Sequence, residues 1–485
     1  MGTPKWQRVF LIIILATALI LRIWRIEYRT EFLGDQGRAG LVAMDMARGR
    51  FPQLGPTVLT GQHLGPAFYY LAAVPFVTGN YNPVLPAVLV ALLGVGSVYL
   101  LWVVASVLAG AVPALVAAAL WAVSPALVAT DQILWEPNII PFFIFAWMAA
   151  LLKRETFFGF LAGLCLGILL QLHYPNGIFL LLGIPLLLKS KRPYVLAYIL
   201  GGALVLSPFL VYEISHGFEN TGGVVRVFSD GSGVMLGKRA ILANLLDYAA
   251  RVYGRMLPVA KGGQSAIALV ISALILLARK DRWTIVFGAW VALGLGAFSL
   301  YRGVVYDHYL IFLFPLPFLM LAMGIAALKK YPMLQAFIYV MVALVVAGRL
   351  VVFMKPVSEV SDIPRLNEMS KLAVALTRGE SFALALTSSR SFSDLHWRFY
   401  LRKAGVVALL PHDPAAERLL VVCEQLPCTG YKQLFLTGAV PLICYEPYCR
   451  GIYPKIEMME WEFEEEVLDE WGSMLLLRRR TDWLQ

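Results

Sequence analysis

Apolar runs, each closed by charge, proline or glycine, recur through the first three quarters of the chain. They fall near 9–26, 64–79, 84–108, 112–129, 138–152, 157–172, 175–188, 193–213, 264–279, 283–300, 308–328 and 333–354. Runs of this length and apolarity predict membrane helices. The connections between them alternate in charge. Lys153 with Arg154, Lys189 with Lys191 and Arg192, Arg279 with Lys280 and Arg282, and Lys329 with Lys330 occupy every second short loop. The intervening connections, 130–137, 173–174 and 301–307, carry only Arg302 between them. Basic loops stay on the cytoplasmic side, so this alternation predicts the orientation from residue 130 onward.

With Lys5 and Arg8 holding the N-terminus inside, an even number of crossings must separate the 27–62 loop from the outward connection at 130, yet three runs lie between. The run 64–79 begins Leu64-Gly65-Pro66 and is interrupted by Pro75. It is therefore assigned to the interface or to a re-entrant segment, which leaves eleven crossings. Arg22, Arg25 and Arg29 at the outer end of the first helix argue the other way locally, but the later loops outweigh them. The first run has basic residues before it and no small-residue cleavage site after it, so it is expected to remain as an anchor.

Everything after 355 is then extracytoplasmic. There the pattern changes to an amphipathic helical run, Asp394–Ala404, and short apolar strand-like runs at 382–386, 406–410, 419–423 and 474–477. A small α/β domain over 355–485 is expected, following a membrane domain over 1–354. Within the membrane domain the outward loops are 27–62 and 214–262. The latter is rich in glycine, carries Arg226, Lys238, Arg239, Arg251, Arg255 and Lys261, and is long enough to form a lid. The acidic run from Glu457 to Glu470 reads as a solvated surface stretch.

Composition fits this picture. The 485 residues are 59% hydrophobic and only 15% charged, with a mean hydropathy of +0.71, which excludes a soluble enzyme, a nucleic-acid binder and a disordered scaffold. The net charge of +10 is read as orientation signal in the bilayer rather than as a nucleic-acid surface. Four of the five cysteines, Cys423, Cys428, Cys444 and Cys449, lie in the outward C-terminal domain, whereas Cys165 sits in a membrane run. Two disulfides are expected, with the pairing open. Zinc is the alternative for the doubled C-x4-C spacing, but the compartment favours oxidation.

Ionisable residues at a membrane boundary are costly, and here they gather outside. The first loop carries Gly34-Asp35-Gln36-Gly37-Arg38 and Gln62-His63; the next connection carries Asp131 and Trp135-Glu136-Pro137; then come His173-Tyr174, and Arg302 with Tyr306-Asp307-His308-Tyr309. Each has a plain structural alternative. Asp35 can cap the amphipathic helix that Arg38, Val42 and Met46 suggest, Glu136 can complement a helix start before Pro137, and the His-Tyr pairs can anchor an aromatic belt. Asp131 is expected to be solvated.

The order of these motifs resembles the GT-C superfamily of glycosyltransferases, in particular the branch with protein O-mannosyltransferases and lipid A aminoarabinose transferases, over roughly residues 5–350. Asp35 and Arg38 match that branch's first-loop motif, while Gln36 stands where a second acid is usual. His63 corresponds to its basic residue before a proline, Glu136 to its second carboxylate, and His308-Tyr309 to its late basic-Tyr pair. With the loop charges, this makes the fold expected an all-α, GT-C-like polytopic membrane domain of about 11 helices, with the extracytoplasmic α/β domain read from the pattern after 355. The resemblance also implies an inverting transfer of a sugar from a polyprenyl-phosphate donor. Asp35 is then the expected base, Glu136 helps to position the acceptor or Asp35, and Arg38, His63, Arg302 and His308 bind the phosphate. Gln36, His173, Tyr174 and Tyr309 are expected substrate contacts. No cofactor or metal is assigned, the replacement of an acid by Gln36 weakening the case for a divalent ion. The acceptor, whether protein, lipid or glycan, is open. A lipid-linked sugar transporter and a transferase of whole lipid-linked glycans are the competing functions. Neither a mid-membrane ionisable cluster nor an internal repeat supports the transporter.

Overall fold

All twelve apolar runs form helices in the computed structural model, which describes residues 4–58, 61–188, 190–229, 238–278, 282–301, 303–353, 362–387, 389–411, 413, 415–424, 461–468 and 473–479. Arg302, Lys189, Arg279, Lys280, Lys355, Cys428, Cys444 and Cys449, with both ends of the acidic run, lie outside the described residues. Lys5–Ile23, Val84–Ala109, Arg192–Ser215, Arg282–Leu300, Asp307–Lys330 and Pro332–Phe353 are each long and apolar enough to cross a membrane. Ala67–Thr78, Ala111–Ala122, Glu136–Leu151, Thr156–Leu172, Tyr174–Leu187 and Gly263–Leu277 are shorter apolar helices. The chain is a multi-pass helical membrane protein with a small C-terminal sheet domain.

Two compact units divide it. One comprises Met1–Ile26, Pro52–Tyr70 and Ala87–Ser358; the other comprises Glu27–Phe51, Leu71–Pro86 and Glu359–Gln485. The unit that holds the C-terminal sheet thus takes in most of the first loop as well.

In the helical unit, the expected run 112–129 is broken. The helix Ala111–Ala122 stops and a second one, Pro125–Thr130, begins, because a residue before proline is driven out of the helical region. Ser124, at the break, donates from its hydroxyl to the Arg255 carbonyl at 2.6 Å. Small residues set the closest helix packing. Gly159, Gly163 and Gly167 recur every fourth residue on Thr156–Leu172, and a methyl group on any of them would press on the main chain of Tyr194, Tyr198 or Gly202. Such stripes let backbones approach where no hydrophobic effect drives helices together. Tyr198, one helix over, accepts a hydrogen bond from Trp147 Nε1 at 3.1 Å.

Asp131 is not solvated. Its carboxylate is buried and accepts from Arg22 Nε at 2.8 Å, and the Arg22 side chain has no solvent exposure. Arg22 Nη1 also donates to the carbonyls of Ala18 and Ala122, and the Gln132 amide donates to those of Leu21 and Arg22. Gly94 makes room, since a side chain there would meet the Asp131 carboxylate. A charge short of water is held by a partner of opposite sign, and the separation of 109 residues hid that partner from sequence reading.

The second unit contains a five-stranded sheet of β1 (Phe382–Thr387), β2 (Ala408–Leu409), β3 (Arg418–Cys423), β4 (Trp461–Leu468) and β5 (Ser473–Arg479), ordered β2-β1-β3-β5-β4. β1 runs parallel to both β2 and β3; β5 is antiparallel to β3, and β4 to β5. Phe382–Leu386 of β1 and Leu419–Cys423 of β3 are continuously apolar and buried, as central strands are. The described part of the acidic run, Trp461–Leu468, is largely solvent-facing as expected, but it is a strand. Glu462, Glu464, Glu465 and Glu466 are exposed on edge strand β4, where charge guards against further pairing. The helix Leu395–Lys403, predicted from its amphipathic pattern, connects β1 to β2. Cys423, at the end of β3, is disulfide-bonded.

Candidate active site

The Asp35 motif lies on a helix, Gly34–Met46, within the second unit. Asp35 is not its cap. The Leu33 N–H donates to Gln36 Oε1 at 2.9 Å, so Gln36, buried at the third helical position, satisfies the helix start. That is a physical role for the residue where an acid is usual. Asp35 stands in the first turn with its side chain about half exposed, and the Arg38 guanidinium, one turn on, lies 3.9 Å from it. The buried face of this helix consists of Gly34, Gly37, Ala39, Gly40, Ala43 and Met44 together with Gln36, whereas Val42 and Met46 are half-buried. A methyl on Gly37 would overlap the His396 backbone and one on Gly40 the Phe399 ring, so these glycines permit a close seat on Leu395–Lys403. Phe32 packs on Phe399 and Tyr400 with ring centroids 5.1 and 5.5 Å away, and Asp45 accepts from Arg402 at 2.6 Å.

In the helical unit, residues from four connections meet. Three short 3-10 turns, Glu136–Ile139, Tyr174–Gly177 and Asp307–Leu313, each open a helix. The rings before and within them converge. His308 lies 4.6 Å from Trp135, 6.1 Å from His173 and 4.4 Å from Tyr309, while His173 lies 5.4 Å from Tyr309. Glu136, next to Trp135, is buried. Burial, and then the neighbouring His308, push the His173 imidazole well below its ordinary value, which favours the neutral ring.

The basic segment 214–262 supplies cations to this cluster. It forms helices Glu219–Ser229 and Lys238–Tyr253. Arg251 Nε donates to Asp307 Oδ1 at 2.6 Å, and Arg255 donates to Asp307 Oδ2. Arg255 also lies 4.7 Å over the Phe314 ring. In the sequence both arginines look like loop charge, although their four-residue spacing is that of one helical face. Arg302 lies outside the described residues.

His63 belongs to a short hairpin in which Thr57 and His63 pair as an antiparallel bridge. Its Nδ1 lies 3.2 Å from the Gly55 carbonyl and 3.3 Å from Thr57 Oγ1. The Tyr174 hydroxyl donates to the His63 carbonyl at 2.6 Å, and the Asn220 side-chain amide accepts from the His63 N–H and donates to the His63 carbonyl. Glu213, overlooked at the end of an apolar run, is buried beside this knot and accepts from the Thr221 N–H at 3.2 Å. Among the described residues, no three His, Cys, Asp or Glu side chains gather as a metal site.

No family model and no curated protein matches the sequence. Solved structures do. The chain is similar to ArnT from Cupriavidus metallidurans bound to undecaprenyl phosphate, with a TM-score of 0.63, 12% identity and 99% of each chain covered. Against the same protein in its apo state the TM-score is 0.60, with 13% identity and 97% of each chain covered. The Archaeoglobus fulgidus oligosaccharyltransferase in complex with zinc and sulfate matches at a TM-score of 0.48 with 10% identity, covering 85% of this chain and 68% of that one. ArnT is an aminoarabinose transferase of the GT-C superfamily, and the GT-C fold is the fold of this chain.

Proposed function

We propose that this chain is an inverting glycosyltransferase that moves one sugar from a polyprenyl monophosphate to an acceptor at the extracytoplasmic face of the membrane. The observation that carries the reading is the convergence of Trp135-Glu136, His173 and His308-Tyr309 beside Arg251 and Arg255, in a chain whose fold matches over 99% of ArnT, a protein solved with undecaprenyl phosphate. A polyprenyl phosphate keeps its tail in lipid and its head at the boundary, where helix-opening turns of this kind lie.

In the proposed reaction the acceptor oxygen or nitrogen attacks the anomeric carbon. The bond from that carbon to the phosphate oxygen breaks with its electron pair going to the phosphate, and the acceptor proton passes to the Asp35 carboxylate. Arg38, His63, Arg302 and His308 take the leaving phosphate, joined by Arg251 and Arg255, while Glu136 orients the acceptor or Asp35. Gln36, His173, Tyr174 and Tyr309 contribute hydrogen bonds.

The orientation proposed is an inside N-terminus, eleven crossings and an outside domain after 355. The Arg22–Asp131 pair supports it, because a buried and neutralised arginine no longer counts against that orientation. Acceptor choice is assigned to 214–262 and to the C-terminal domain.

The test is Asp35→Asn, assayed with a panel of polyprenyl-phosphate-linked hexoses and pentoses by release of polyprenyl phosphate. Asparagine keeps the shape but takes no proton, so transfer should fall by about 10²-fold or more with thermal stability unchanged. A folded Asp35→Asn protein that transfers at the normal rate overturns the assignment and leaves Glu136 as the next candidate base.

A further inference from the structure

In an open sheet with parallel strands, the crevice at their carboxyl ends, where the chain leaves in opposite directions, is the place where ligands bind. Here that crevice lies between β1 and β3. The crossover from β1 passes through Leu395–Lys403 to β2 on one side, while β3 pairs on the other. At its mouth stand the loop 389–394 after β1 and Glu424 after β3. Glu424 accepts from Trp397 Nε1 at 2.8 Å, Arg365 Nη1 at 3.0 Å and His396 Nε2 at 3.2 Å.

The start of the Asp35 helix is bonded to the loop after β1 and to Asp362. The N–H of Phe32 donates to Asp362 Oδ2 at 3.2 Å and that of Gly34 to Ser391 Oγ at 2.9 Å. Since Gln36 takes the Leu33 N–H, three consecutive amides at the helix entrance are all held by side chains. The two external acceptors are themselves fixed. Asp362 is buried and receives Arg390 Nη2 at 2.5 Å and Arg365 Nη2 at 3.4 Å, and the Ser391 hydroxyl donates to the Ser393 carbonyl at 2.7 Å. Packing alone needs only shape, but directed hydrogen bonds to consecutive amides fix the rotation and height of the first turn, in which Asp35 stands.

We propose that the C-terminal domain uses its β1–β3 crevice to hold the first-loop helix, with Ser391 and Asp362 acting as positioning residues for Asp35. This rests on the reading of Asp35 as the base. It gives the sheet domain a part in the chemistry besides acceptor recognition.

The experiment is a double-mutant cycle on the full chain with whichever donor of the panel is turned over fastest. Ser391→Ala should lower kcat about tenfold, with donor KM unchanged, since small misplacements of a reacting group are costly. Ser391→Thr, which restores the hydroxyl, should recover the rate. In the Asp35→Asn background, Ser391→Ala should cost nothing further, which a merely structural role would not produce. Should Ser391→Ala unfold the domain, Ser391→Cys, a weaker acceptor of similar shape, replaces it under the same criteria. If Asp35→Asn loses transfer while Ser391→Ala keeps a normal kcat, or lowers it equally in both backgrounds, the positioning role is overturned and the base assignment stands. If Asp35→Asn transfers normally, the base assignment falls and the positioning role falls with it.

Discussion

Replacing Asp131 with alanine strands Arg22. The guanidinium has no solvent exposure and gives its Nε to Asp131 at 2.8 Å, so no water is at hand to substitute for the carboxylate. Breaking a buried pair by removing one partner costs about 3–5 kcal/mol. Arg22 Nη1 keeps the carbonyls of Ala18 and Ala122 at 3.2 and 3.0 Å, which moves the expected loss for Asp131→Ala to the lower end, about 3 kcal/mol. Arg22→Ala also removes a packed side chain and should cost more, about 4 kcal/mol. The double variant Arg22→Ala/Asp131→Ala leaves no stranded charge, so the coupling between the two sites should reach at least about 2 kcal/mol. Unfolding in mixed micelles of rising SDS content, followed by tryptophan fluorescence, measures all three. Single losses below about 1 kcal/mol that add independently are the behaviour of a solvated surface pair and would refute the burial argument.

Glu424 predicts a pH dependence. Burial pushes its carboxyl up, but His396 and Arg365 pull it further the other way, and it is held well below its usual 4.5. A depressed folded value means that the stability it contributes is full above that usual value and is lost as the pH falls below it. The gap in thermal stability between the natural protein and Glu424→Gln should therefore be constant from neutrality to about pH 5 and shrink in stronger acid; a gap that widens on acidification contradicts this. If Arg255 belongs to the proposed phosphate clamp, Arg255→Ala should weaken binding of a polyprenyl phosphate by about tenfold and Arg255→Lys should not restore it, because the forked geometry is lost; unchanged binding in a titration removes Arg255 from the clamp. Cysteine labels near Lys153 and Lys329 should react only from the cytoplasm and one near residue 430 only from outside, with the reverse pattern inverting the topology. Non-reducing mass spectrometry should find the four C-terminal cysteines in two disulfides, and free thiols or bound zinc would count against the outward compartment.

The sequence by itself determined the parts of this protein that depend on local period and local composition. All twelve apolar runs became helical, one of them as two helices, and 394–404 and 419–423 became the helix and the strand that their patterns indicate, because burial stripes repeat at the spacing of the element that bears them. It also supplied the glycines of the Asp35 motif, without their purpose. What only tertiary structure decided is who meets whom across long separations. Asp131, which looks solvated beside Thr130, is neutralised by an arginine 109 residues earlier; Arg251 and Arg255, which look like loop charge, close on Asp307; and Gly37 is explained by the backbone of His396. The first loop joins the sheet unit for the same reason. Two N–H groups at a helix start need acceptors, and those that serve, Asp362 and Ser391, lie more than 300 residues away in the chain, where no window of sequence connects them.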